Sequence, residues 1–82
     1  MLLNQLISER LEAVRKKLGL GVYTLCNKAA ISYETYRSIR MSKNKDIYLR
    51  TLFIILRALD IKPSDFFSDP LFNSDELDID FK

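Results

Sequence analysis

No histidine and no tryptophan occur in the 82 residues, and there is one cysteine, with two glycines and two prolines. Without histidine the chain has neither a His-ligated metal site nor His-based catalysis, and a single cysteine excludes an intramolecular disulfide. No apolar run reaches membrane length and no secretory leader pattern is present, so the expected setting is intracellular and cytoplasmic. Gly19, Gly21, Pro63 and Pro70 sit at boundaries between patterned segments instead of being scattered through loops, which favours helices throughout. At this length one core is only just sufficient, so a compact all-α packing with short loops is expected and a large enclosed ligand site is not.

The net charge of +2 conceals a split. Residues 1–67 hold twelve Lys/Arg against six Asp/Glu, giving +6, whereas residues 68–82 hold one against five, giving −4. A basic body suits a polyanionic partner, although solvated helix surfaces carry such charge as well.

The central stretch is Leu20 to Ser42. Val22, Leu25, Cys26 and Ala29 recur at i, i+3, i+4, i+7 and define one short helix. Ile31 to Met41 defines the next, with Ser32 as N-cap. On this second helix Tyr36 and Ile39 fall on one side, and Glu34, Arg37, Ser38 and Met41 on the other. Two helices meeting at Ala30-Ile31-Ser32 predict a helix-turn-helix.

Before it, Leu3, Ile7, Leu11, Val14 and Leu18 predict a first helix over Asn4–Leu18, ended by Gly19, with Arg15-Lys16-Lys17 complementing the dipole of its last turn. Leu2 and Leu6 form a second apolar edge outside that stripe. After a polar loop with Lys43 and Lys45, Asp46 is the expected N-cap of a fourth helix, Tyr48–Leu59. Its apolar residues Leu49, Leu52, Phe53, Ile55, Leu56 and Leu59 lie on more than one side and predict a buried central helix. Pro63 opens a short fifth helix whose aromatics, Phe66 and Phe67, are expected to close the core. Residues 68–82 read as an acidic tail in which Leu77, Ile79 and Phe81 alternate with Asp78 and Asp80, a strand signal on a segment otherwise expected to be disordered. Cys26 and Tyr36 read as core, and the tail lacks the glycine and terminal glutamate of a calcium loop.

From Ile7 to Phe67 the chain resembles the lambda-repressor-like domains of the phage Cro/repressor and Xre transcriptional regulators. The matching points are Arg15, Gly19-Leu20, Leu25, Lys28-Ala29, Ile31-Ser32, Thr35, Ile39, Thr51-Leu52, Arg57 to Ile61 and Asp65-Phe66-Phe67. The resemblance implies a five-helix bundle over residues 1–67 and a non-enzymatic, cofactor-free transcriptional regulator, bacterial or phage-encoded and nucleoid-associated, a repressor by expectation, that occupies operator DNA as a homodimer. It implies base reading by Tyr33, Glu34, Arg37 and Ser38, with Arg37 the principal reader because a guanidinium can bond guanine O6 and N7 together. Phosphate contacts are expected from Lys28, Thr35, Arg40, Lys43 and Lys45.

Three positions depart from the family. Val22 stands where a phosphate-binding glutamine is frequent, Ala30 where the turn often has glycine, and Arg40 where a glutamate pairs the arginine of helix 1; Arg40 is expected to turn to Glu12 or to a phosphate. For the dimer, Leu77, Ile79 and Phe81 are expected to pair with a two-fold mate or to lie near Leu2 and Leu6 of the neighbour. The competing idea for the tail is that it shields the basic face. The competing function is a protein-interaction module, such as an antitoxin or a phage-encoded adaptor, whose acidic tail holds a protein partner. Neither reading calls for a membrane, a metal or a small-molecule ligand.

Overall fold

The computed structural model describes residues 2–41 and 46–79, and among them the chain is all-α. Five helices follow in order, α1 Leu3–Lys17, α2 Val22–Ala29, α3 Tyr33–Arg40, α4 Leu49–Ala58 and α5 Pro63–Phe66, with a 3-10 turn at Pro70–Asn73. Among the described residues no helix is long and apolar enough to cross a membrane.

Three of the helices end in the same way. Gly19, Ala30 and Asp60 each take positive φ (70°, 55° and 57°). The next residue then sends its N–H five residues back, Leu20 to the Arg15 carbonyl, Ile31 to Cys26 and Ile61 to Leu56. These are Schellman ends, in which a left-handed residue reverses the chain and the following apolar residue folds onto the bundle. Leu20, Ile31 and Ile61 all pack against the core.

That core gathers Leu11, Leu25, Tyr36, Ile55, Leu56 and Phe66, each almost fully buried, with Ile7, Cys26, Ala29, Ile39 and Leu52 around them. Cys26 is a free, buried thiol whose pKa is raised by burial, in keeping with a packing role. The second apolar edge of α1 is not spare surface: Leu6 is 2% exposed and belongs to the interior, so it is not available to a second subunit. Leu18, by contrast, lies past the last turn of α1 and is exposed.

The fourth helix corrects its expected start and its expected burial. Tyr48, not Asp46, is the residue before its first turn, and no side chain caps it. Leu52, Ile55, Leu56 and Ala58 face inward, but Leu49 is 66% exposed and Phe53 37%. A helix with apolar residues all round needs neighbours all round, and a bundle this small has too few layers to supply them.

The tail folds back on α1. Leu2 has no side chain able to cap a helix, so the Leu3 N–H donates to the Asp78 carbonyl at 2.9 Å while Gln5 Oε1 accepts from the Leu2 N–H. Leu2 and Asp78 form one isolated parallel bridge in place of the expected strand. Asp69 accepts from the Leu71 N–H and pairs with Arg10 at 3.1 Å, and Phe72 packs on Phe66 and Phe67. Arg10 also donates to the Phe66 carbonyl and lies over its ring, 5.3 Å from the centroid.

The contact between α1 and α3 is polar at two levels. Tyr36 donates to Glu12 Oε2 at 2.8 Å, and the buried Ser8 hydroxyl donates to the Arg40 carbonyl at 2.9 Å. Glu12 is also held by Arg15 through two bonds, Nε to Oε2 at 2.6 Å and Nη2 to Oε1 at 3.0 Å. The Arg15 hydrogen bond is the main reason the Glu12 pKa is lowered, and burial is the main reason the Tyr36 pKa is raised.

The Tyr36 shift has a signed consequence for stability. An unfolded tyrosine ionises near pH ~10, whereas folded Tyr36 keeps its proton, so stability contributed by Tyr36 is complete below pH ~10 and falls as pH rises above it. Urea unfolding between pH 8 and 11.5 is expected to show the wild type losing up to ~1.4 kcal/mol per pH unit more steeply than Tyr36→Phe above pH ~10. Parallel curves would show that the hydroxyl is not buried on Glu12. Near neutrality Tyr36→Phe is expected to cost ~1–2 kcal/mol.

Candidate nucleic-acid interface

The pair α2–α3 turns on Ala30, whose φ of 55° and ψ of 42° place an alanine in the left-handed region that glycine occupies without penalty. Ser32 then caps α3 as the sequence predicts: its Oγ accepts the Thr35 N–H at 3.0 Å and lies 2.8 Å from the Thr35 hydroxyl. The inward side of α3 is Tyr36 and Ile39, both buried, so its orientation is fixed from behind. Helix α3 itself spans Tyr33–Arg40, shorter than the apolar pattern suggested at both ends.

On the outward side the base-reading candidates share one surface. Glu34 and Arg37 are exposed and form an ion pair at 3.8 Å, one turn apart. That pair is open to solvent and contributes little to stability, so either group is free to exchange partners. Tyr33 is half-buried because its ring stacks on Tyr23, centroids 4.7 Å apart and planes within 17°. Ser38 is half-buried at the edge of a shallow cleft shared with Thr35, Ile39, Ile47 and Thr51.

The phosphate-binding candidates are less concentrated. Lys28 is exposed in the last turn of α2. Thr35 is exposed with its hydroxyl already against Ser32. Arg40 is half-buried: its carbonyl serves Ser8, and its positive charge adds to the Arg15 and Tyr36 hydrogen bonds that hold the Glu12 pKa down against the opposing effect of burial. Lys43 and Lys45 lie outside the described residues. Among the dimerisation candidates, Leu2 is half-buried at the tail bridge, Leu77 is half-buried, Ile79 is exposed, and Phe81 lies outside the described residues.

Tyr23 escaped the sequence reading and belongs on this surface, since it is 68% exposed yet held by a stack. The signal was there in retrospect: Tyr23 and Tyr33 occupy the first turns of two successive helices joined by a tight turn. A tyrosine hydroxyl is a phosphate donor, so Tyr23 can replace the contact that Val22 cannot make. Among the described residues no cluster of three or more His, Cys, Asp or Glu is placed to hold a metal ion.

No family model matches the sequence, and neither a curated protein nor a solved structure does.

The turn geometry sets two opposite stability effects. Ala30→Gly relieves a left-handed alanine and is expected to raise unfolding free energy by up to ~1 kcal/mol. Ser32→Ala removes the cap and is expected to lower it by ~1 kcal/mol. Thermal or urea unfolding of both variants checks the pair, and a loss on Ala30→Gly would contradict the left-handed turn.

Proposed function

We propose that this chain is a helix-turn-helix transcriptional regulator of the lambda-repressor-like kind, which lays α3 in the major groove of operator DNA and acts as a homodimer. The observation that carries the reading is the outward face of α3. It presents Arg37, Glu34, Ser38 and Tyr33 together, while Tyr36, Ile39 and the Arg40 carbonyl hold the helix from behind. Nothing in the core depends on the exposed pair, which leaves both side chains free to engage a partner.

Chemically, Arg37 is suited to a guanine edge and Glu34 to orienting it or to accepting from a cytosine amine. Tyr23 and Lys28 supply phosphate contacts that fix register without reading sequence. Arg15 does not belong to this set, because its Nε and Nη2 donate to Glu12 and its Nη1 to the Leu20 carbonyl, which ties its guanidinium to the bundle. The alternative, a protein-interaction module whose acidic tail holds a protein partner, draws on residues 68–82 and does not compete for the α3 surface.

Binding to duplex DNA is expected to weaken steeply with salt, because each neutralised phosphate releases counterions. Arg37→Ala is expected to cost ~1–3 kcal/mol on the operator and to relax preference at one base pair, while Lys28→Ala weakens all sequences alike and lowers the salt slope by about one. The operator is first recovered by selecting bound genomic fragments, and titrations then compare it with random duplex. No retention of any fragment at low salt would overturn the reading, and equal losses for both variants on both duplexes would remove Arg37 as a reader.

A further inference from the structure

Two tyrosines meet across the turn between α2 and α3. Tyr23 lies in the first turn of α2, and Tyr33 is the first residue of α3. Their rings stack with centroids 4.7 Å apart and planes within 17°. Tyr23 is 68% exposed and Tyr33 half-buried, so the stack holds the Tyr33 ring while still presenting aromatic surface to solvent. A side chain at the first position of a helix otherwise turns freely about its χ angles, and ordering it would be a cost of binding. The stack meets that cost before any ligand arrives.

We propose that this stack reads the 5-methyl group of a pyrimidine in the major groove, with the Tyr33 ring making the contact and Tyr23 as the positioning residue. In ordinary DNA that pyrimidine is thymine. The proposal rests on the DNA reading of α3 and names one chemistry within it.

The two parts of a tyrosine discriminate differently. Its hydroxyl both donates and accepts, so it finds a partner on every base pair in the major groove and by itself reads none of them. The ring is apolar, and the thymine methyl is the apolar group that the base pairs display there. A ring held by a stack cannot swing aside to trade that contact for another. Unmethylated cytosine opposite it leaves a gap, and a purine sets polar edge atoms against carbon.

The place of the methyl follows from the helix. Tyr33 and Arg37 stand at i and i+4, on one side of α3 and ~6 Å apart along its axis. Successive bases are ~3.4 Å apart, so the two side chains reach base pairs about two steps apart. The methyl is therefore expected about two base pairs from the guanine bonded by Arg37, in the same half-site.

The first arm of the test uses the wild-type chain. The selected operator is synthesised with uracil in place of each thymine in turn, which removes the methyl and nothing else, and with 5-methylcytosine in place of each cytosine. Titrations are run at low salt, where phosphate contacts sustain binding to any sequence. Uracil at one thymine of a half-site is expected to weaken binding about fourfold, the factor equivalent to the ~0.8 kcal/mol of one buried methylene. Where the base at that position is cytosine, its methylation is expected to tighten binding by the same factor. Tyr33→Ala and Tyr23→Ala are expected to bind the methylated and unmethylated duplexes alike. Tyr33→Phe and Tyr23→Phe keep the rings and are expected to keep the preference, even as loss of the Tyr23 hydroxyl weakens every duplex equally. Operator binding indifferent to every uracil and every 5-methylcytosine would overturn the proposal and leave the DNA reading standing, and so would a preference that survives either alanine variant or is lost in the phenylalanine variants. No retention of any duplex would remove the DNA reading itself, and this proposal with it.

Discussion

Everything on the α3 side of the molecule depends on one carboxylate. Glu12 is largely withdrawn from water, and a carboxylate so placed stays charged only when opposite charge and hydrogen bonds replace the lost hydration. Arg15 provides both from the same helix, one turn on, and Tyr36 provides the third bond from α3. Both partners of the ion pair are mostly shielded, so it carries more than the few tenths of a kcal/mol of an exposed i,i+3 pair. Its position matters more than its strength. In the family that the sequence resembles, the arginine of helix 1 looks to a glutamate late in helix 3; here that position is Arg40, and the acid has moved into α1. The charges therefore close mainly within α1, and α3 contributes a neutral hydroxyl, a carbonyl and the weaker pull of the Arg40 charge. Its outer face is left with no duty toward the fold.

The same economy governs the ends of the helices. A chain with two glycines cannot place one at every reversal, so the left-handed position falls to glycine after α1, alanine after α2 and aspartate after α4. Aspartate tolerates that region because its short polar side chain finds local partners. Alanine has no such relief, and its strain lies in the turn that sets the angle between α2 and α3. The compensation is the residue that follows, since Ile31 packs on the core and Ser32 caps the next helix. Strain, anchor and cap are three consecutive residues.

Much of this was legible in the sequence, and the failures have physical reasons. Helical periodicity located α1, α2 and α3, Pro63 marked the start of α5, and Ser32 was identifiable as a cap because a hydroxyl before an apolar run has few other uses. Periodicity does not tell how wide a buried stripe is, which is why Leu6 was placed outside it and Leu18 inside. For α4 the count of apolar residues was right and the inference from it was not, since burial depends on how many neighbours the rest of the chain can supply. The roles of Arg10 and of the tail were hidden for another reason. Arg10 meets Phe66 and Asp69 across more than fifty residues of sequence, and no local pattern announces such a contact.

The placement of the tail bears on the charge split between body and C-terminus. Asp78 is anchored at the first turn of α1, where negative charge is favoured by the helix dipole, and Arg15, Lys16 and Lys17 occupy the last turn, where positive charge is favoured. Helix α3 runs antiparallel to α1, because Ser8 meets Arg40 and Glu12 meets Tyr36. The Tyr33 end of α3 thus lies toward the basic end of α1, about 22 Å along the helix from the tail anchor by the rise per residue. That is more than two Debye lengths at physiological salt, ~8 Å each. At that separation Asp78 does not screen the tyrosine pair, whereas Asp69 of the same segment sits midway along α1 against Arg10. Among the described residues the tail therefore meets α1 at two levels, the Asp78 backbone at its first turn and Asp69 at Arg10, so its acidic residues are spread along the helix and not gathered at one end.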